Sequence, residues 1–155
     1  MQPVTYENLV VRPYAHGSDD DKKAYILRHT VLSLAPEVSD GTLKFIFCTH
    51  EDEADNTKLG AFTADGMVGT LCLVPQEDGT AMIKQFAVTR KLQGMGIGKK
   101  LLEYAHATAR ELGYKRIILN ARQNVEGFYA KAGYVPTGKR SESPRLVLVQ
   151  MYIDL

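Results

Sequence analysis

Met82-Ile83-Lys84-Gln85-Phe86-Ala87-Val88 is followed five residues later by Gln93-Gly94-Met95-Gly96-Ile97-Gly98, which opens the run Lys99 to Leu112. The first stretch is strand-like and the last is helix-like. Between them stand three glycines at a helix start, where the chain turns tightly and the unpaired N–H groups of the first helical turn carry partial positive charge. An anion, most commonly a phosphate, is the expected occupant of such a place, and no basic side chain is needed to hold it.

Outward from this centre, the helix Lys99 to Leu112 shows one apolar face through Ile97, Leu101, Ala105, Thr108 and Leu112, with Leu102 and Ala109 beside it. Gly113 ends it. Arg116 to Ala121 (RIILNA) is a nearly continuous apolar run of the kind buried inside a sheet. Asn124 is expected to cap a further helix, Phe128, Tyr129 and Ala132 give that helix a buried side, and Gly133 suits its left-handed end. Tyr134 to Thr137 and Leu146 to Ile153 then read as two last strands, separated by Gly138 to Pro144.

Upstream, Asn8 to Tyr14 reads as a strand. Ser18 caps a helix whose first turn, Asp19-Asp20-Asp21, complements the helix dipole, and Pro36 and Gly41 close that region. Leu43 to Cys48 is strand-like and leads into the acidic loop His50 to Asp55. Leu59 to Ala64 and Val68 to Val74 form a hairpin around Asp65-Gly66, and Glu77-Asp78-Gly79 turns the chain into Ala81 to Val88. The fold class is α/β (α+β): one domain over residues 1–155, with a mixed central sheet, an antiparallel meander, and helices on both faces. Its one parallel strand–helix–strand crossover, Met82 to Ala121, puts the glycine loop at the carboxyl end of its first strand, where open sheets bind ligands.

A chain of 155 residues buries roughly two thirds of the surface it exposes when unfolded, enough for one core and one cleft. The net charge of +1 lacks the electrostatic footprint of a nucleic-acid binder, and no nucleic-acid partner is expected. Cys48 and Cys72 each sit in apolar runs, which suits reduced thiols. No stretch reaches the roughly 18 apolar residues of a membrane span, and the N-terminus lacks a signal layout. A cytoplasmic protein without a membrane partner is expected. His50 with Glu51, Asp52, Glu53 and Asp55 lacks ordered ligand spacing, so the expected metal content is none. His16, His29 and His106, the last off the main apolar stripe, are expected at the surface or in structural hydrogen bonds.

The phosphate chemistries differ in what they require. A dinucleotide fingerprint G-x-G-x-x-G started at Gly94 meets Lys99 where its third glycine belongs, and a Walker A loop would need a hydroxyl where Lys100 stands. Gln93-x-x-Gly96-x-Gly98 after Ala87-Val88 instead resembles the acetyl-coenzyme A signature of the GNAT superfamily of N-acetyltransferases. The resemblance runs from Ala81 to about Thr137, through the helix Gly98 to Leu112, the strand Arg116 to Asn120, Asn124, and Phe128-Tyr129-x-Lys131-x-Gly133-Tyr134.

That resemblance implies acetyl-coenzyme A as co-substrate. Amides of Gln93, Gly94, Met95, Gly96, Ile97, Gly98 and Lys99 would hold its pyrophosphate. Backbone groups of Phe86, Ala87 and Val88, on a strand that bulges and splays from its parallel neighbour, would pair with the pantetheine arm. An amide near Val88 would polarise the thioester carbonyl. Asn120, Asn124 and Phe128 would also contact the coenzyme, Asn124 matching the helix-start residue that touches the pantetheine or holds the tyrosine, and Lys131, with Lys99 and Lys100, would approach the 3′-phosphate. Tyr129 would protonate the departing thiolate. The implied reaction is direct transfer, in a ternary complex, to a primary amine on a small molecule, peptide or protein. A non-catalytic acyl-coenzyme A binding module is the alternative, and a homodimer is a mild expectation. No glutamate occupies the strand before the loop, where several relatives carry a base, which leaves Glu77 and Glu126 as weak substitutes, with a water chain or an already neutral amine serving equally; Lys84 and Gln85 border the acceptor side. Ser143-Pro144-Arg145 stands where other relatives have a Pro-His pair.

Overall fold

The computed structural model describes residues 8–33, 55–144 and 146–155. In chain order its elements are β1 Val10–Tyr14, α1 Asp19–Ser33, β2 Thr57–Thr63, β3 Gly66–Pro75, β4 Thr80–Val88, α2 Ile97–Glu111, β5 Arg116–Arg122, α3 Glu126–Lys131, β6 Val135–Glu142 and β7 Val147–Asp154. The expected strand Leu43 to Cys48, the turn residues Pro36 and Gly41, and the acidic loop up to Ala54 lie outside the described residues.

Among the described residues seven strands form one sheet ordered β1-β2-β3-β4-β5-β7-β6, in which only β4 and β5 are parallel. Strands β1 to β4 are the antiparallel meander. Its first hairpin turns on Ala64-Asp65, one residue earlier than expected, because Gly66 at φ +118° already pairs with Thr63. The second uses Asp78 and Gly79, both at positive φ. β7 inserts between β5 and β6, so β6 is an edge strand with every residue exposed.

Two helices cover opposite faces. On one, Leu59, Ala61, Leu71, Leu73 and Ile83 pack with Ile97, Leu101, Leu102 and Ala105 of α2 to form the core. Gly69 on β3 lets α2 approach: a β-carbon there would stand 3.4 Å from both Ile97 and Leu101. On the other face, α1 is tied down by polar groups. Ser18 caps it through an Asp21 N–H···Oγ bond of 3.2 Å. Asp21 belongs to the acidic first turn, yet it is buried, accepting from the Lys58 ammonium at 2.9 Å and the Gly17 N–H at 2.7 Å. Tyr14 donates its hydroxyl proton to Thr70 Oγ1 at 2.7 Å, because the Thr70 hydroxyl spends its own on the Leu59 carbonyl. Cys72 lies buried on this face.

Candidate active site

The parallel pair is short. β4 and β5 are in register only from Thr80↔Arg116 to Met82↔Ile118, while β5 pairs with β7 along its whole length. Beyond Met82 the two strands part, and their carboxyl halves border a gap that opens toward the glycine loop. The cause lies in β4. Its register against β3 jumps between Thr70↔Ala87 and Cys72↔Lys84, so that Gln85 and Phe86 together face Leu71. This is a β-bulge, and Gln85 sits in it at φ +56°, a left-handed conformation that costs a non-glycine residue about 1 kcal/mol or more. Strict alternation predicts that Lys84 and Gln85 point to opposite faces. The bulge breaks that rule: Lys84 is the partner of Cys72 in register, and the buried Gln85 also turns its Oε1 to the Cys72 thiol, at 3.5 Å.

After β4 the chain makes a 3-10 turn at Arg90–Leu92 and enters α2 through Gly94 and Gly96, at φ +83° and +86°. Gly96 is the residue before the helix, and no side chain caps it. The first helical bond is Lys100 N–H to the Gly96 carbonyl at 3.1 Å, so the amides of Ile97, Gly98 and Lys99 precede the ladder. A β-carbon added at Gly94 meets nothing within 4 Å, and one at Gly98 meets Phe128 and Phe86 at ordinary contact distances of 3.5 and 3.7 Å. Neither glycine is demanded by crowding from the protein itself. The loop has the form of an anion cradle, and this fits a pyrophosphate. One side chain shapes it: Gln93 Nε2 donates to the Val88 carbonyl at 3.0 Å and ties the loop to the end of β4. Reading the loop for its backbone alone misses this anchor.

On the other side of the gap, β5 ends in a 3-10 turn, Gln123–Val125, before α3. The expected cap at Asn124 is not made. Val125 precedes α3, no side chain caps it, and Asn124 is exposed within the 3-10 turn, because the chain tightens by one turn before the helix starts. Asn120 is exposed on β5, and Lys131 and Lys99 are exposed at the last turn of α3 and the first turn of α2.

Tyr129 projects from α3 into an aromatic cluster. Its ring lies 5.1 Å from Phe128, 6.4 Å from Phe86 and 5.7 Å from Tyr134, each near perpendicular. Burial pushes its phenol up to about 12, and the Arg122 guanidinium offsets part of this. Tyr134 is buried with its hydroxyl 2.7 Å from His106 Nε2. His106, expected at the surface or in a structural hydrogen bond, takes the second course and is buried as well. The signal was its position four residues after Leu102, only about 40° around the helix.

The structure brings together Phe86, Gly98, Phe128 and Tyr129 at the mouth of the gap, next to the cradle of Gln93 to Lys99. It separates Glu77 from them. That residue is exposed in the turn before β4, at the opposite end of the strand, about 20 Å of extended chain from the bulge, and is not a base for this site. Glu126 opens α3 and is half-buried. Among the described residues no group of three His, Cys, Asp or Glu side chains is placed to hold a metal, and no helix is long and apolar enough to cross a membrane.

These features coincide with a known family. Residues 46–155 match the model of the acetyltransferase (GNAT) domain, and the chain belongs to that family. No curated protein sequence matches it. Solved structures match throughout. A Lactobacillus plantarum protein assigned as an N-acetyltransferase superposes with a TM-score of 0.82 at 20% identity, over 95% of this chain and 98% of that one. A GNAT family acetyltransferase from Elizabethkingia anophelis with acetyl-CoA bound gives 0.70 at 20% identity, over 96% and 99%. A Bacillus subtilis acetyltransferase in complex with CoA gives 0.68 at 20% identity, over 95% and 99%. At these identities the likeness is one of fold.

Proposed function

We propose that this protein transfers the acetyl group of acetyl-CoA to a primary amine in a ternary complex. What supports the proposal is the nearness of three features: the amides before the α2 ladder, the Gln85 bulge beyond which β4 leaves β5, and the contact of the Phe86 ring with Tyr129.

The amides of Gly94 and of Gly96 to Lys99 hold the pyrophosphate; those expected to join them at Gln93 and Met95 instead donate to the Arg90 and Leu92 carbonyls at 3.3 Å, because the 3-10 turn before the loop uses them, and the Gln93 side chain keeps the loop fastened to β4. Backbone groups at Phe86, Ala87 and Val88, freed from β5 by the splay, serve the pantetheine arm, with Asn120, Asn124 and Phe128 bordering it. Lys131 and Lys99 supply positive charge for the 3′-phosphate. Acetyl-CoA contributes an activated thioester. A neutral amine forms the new C–N bond as the C–S bond breaks, an amide near Val88 stabilises the charge that develops on the carbonyl oxygen, and the sulfur leaves with the bonding electrons.

Tyr129 then acts on the sulfur. A phenol at about 12 is fully protonated at neutral pH, so it first donates a hydrogen bond and gives up its proton only as negative charge builds beside it. The proton lost by the amine passes to water and restores the phenol. Calorimetry with acetyl-CoA, paired with detection of free thiol in the presence of amines, tests the proposal. Binding with amine-dependent thiol release supports it, and absence of acetyl-CoA binding contradicts it.

A further inference from the structure

Six residues make α3 too short to hold its own position, so whatever fixes Tyr129 must come from its surroundings. Its C-terminus supplies the first tie. The Tyr129 carbonyl accepts both the Ala132 N–H at 3.0 Å and the Tyr134 N–H at 3.1 Å, and Gly133 at φ +101° provides the reversal between them. Tyr134 is thereby folded back against the residue it serves, its ring 5.7 Å from that of Tyr129 and turned by 72°. The second tie leaves this pair altogether. Tyr134 places its hydroxyl on His106 Nε2, with both side chains buried, and a buried phenol without that partner would lose the full solvation of its oxygen.

His106 belongs to α2, the helix whose first turn forms the phosphate cradle. We propose that His106 and Tyr134 are positioning residues that hold Tyr129 against the thioester by tethering α3 to α2. One buried hydrogen bond then joins the helix that takes the donor's pyrophosphate to the turn that closes the helix carrying the proton donor. The inference rests on the reading of Tyr129 as that donor.

The test is a double-mutant cycle in the thiol-release assay, with the amine of highest turnover from a panel of polyamines, aminoglycosides, amino acids and peptides. Tyr134→Phe and His106→Leu keep apolar volume and remove the bond. Each is expected to lower kcat about tenfold while the calorimetric Kd for acetyl-CoA stays within about twofold. His106→Gln, which restores a hydrogen-bonding group, is expected to recover most of the loss. In a Tyr129→Phe background, Tyr134→Phe is expected to have no further effect on kcat. Equal losses in both backgrounds, a loss confined to acetyl-CoA affinity, or an unchanged kcat would overturn the proposal.

Amide hydrogen exchange separates the tether from the functional reading. Faster exchange at the Tyr134 N–H in His106→Leu than in the wild type supports the tether, and equal rates overturn it. Absence of thiol release from the wild type with every amine contradicts the functional reading and, with it, the catalytic role of the tether.

Discussion

The rings of Phe86 and Tyr129 meet edge to face, with 6.4 Å between centroids, so the strained bulge of β4 and the helix that carries the phenol are in direct contact. Phe86 follows Gln85, whose positive φ gives β4 its extra residue against β3. The same distortion that parts β4 from β5 therefore also sets the ring against which Tyr129 packs. Backbone strain of this kind persists only where surrounding structure holds it, and here it separates two strands that would otherwise pair.

Tyr129→Phe keeps the edge-to-face contacts and removes only the hydroxyl. Its kcat for thiol release is expected to fall by about 10- to 100-fold, with acetyl-CoA affinity unchanged by calorimetry. Unaltered turnover would remove the proton-donor role.

Because burial raises the Tyr129 phenol to about 12, the acid form required for donation persists well above neutrality. The rate is therefore expected to rise with pH as the amine acceptor loses its proton, without a descending limb up to about pH 10, the value at which an ordinary tyrosine would be half ionised. A pH profile of kcat/KM that falls between pH 8 and 9 would point to a different acid.

Gly98→Ala introduces a methyl group at ordinary contact distance from Phe128 and Phe86, so the fold tolerates it. Acetyl-CoA affinity is expected to drop about tenfold if, as proposed, the coenzyme's pyrophosphate approaches the backbone at this glycine. Gly96→Ala is expected to lower stability as well, by about 1 kcal/mol, because φ is +86° at that position. Thermal melts and calorimetry on the two variants separate the effects.

Asp21 tests the opposite face of the sheet. Burial alone would raise its carboxyl, but the Gly17 N–H and the Lys58 ammonium outweigh this and hold it below the ordinary value of 3.8. A depressed carboxylate stabilises the fold at pH values above its unfolded pKa, and that contribution is lost as pH falls through the folded pKa. Asp21→Asn is expected to cost about 2–3 kcal/mol at pH 7, a fall in Tm of about 5–10 °C, with the gap to wild type closing below about pH 4. A pH-independent gap would assign the loss to packing.

The glycine run, the helix behind it and the parallel crossover were legible in the sequence because each depends on local signals: glycine conformations at 94 and 96, and an apolar stripe through Leu101 and Ala105. What escaped depends on contacts distant in sequence. The bulge on this strand was implied by the resemblance, but the spacing of Lys84-Gln85-Phe86 does not say which residue takes it, since it exists only in register against β3. The Asn124 cap failed because the chain inserts a 3-10 turn after Arg122, and such terminal turns depend on the strand-to-helix geometry. His106 was read from its own helix, whereas its partner, Tyr134, lies 28 residues further along the chain. The aromatic neighbours of Tyr129 were visible as a motif, and their mutual geometry was not.

Acetyl transfer from a donor held by the glycine loop is read out by acetyl-CoA turnover against a panel of primary amines, following free thiol and the mass of the acetylated product together. Thiol release that requires an amine and yields an N-acetylated product in equal amount is the expected result. Binding of acetyl-CoA with no amine-dependent release anywhere in the panel would contradict it and leave a protein that binds the acyl donor without using it.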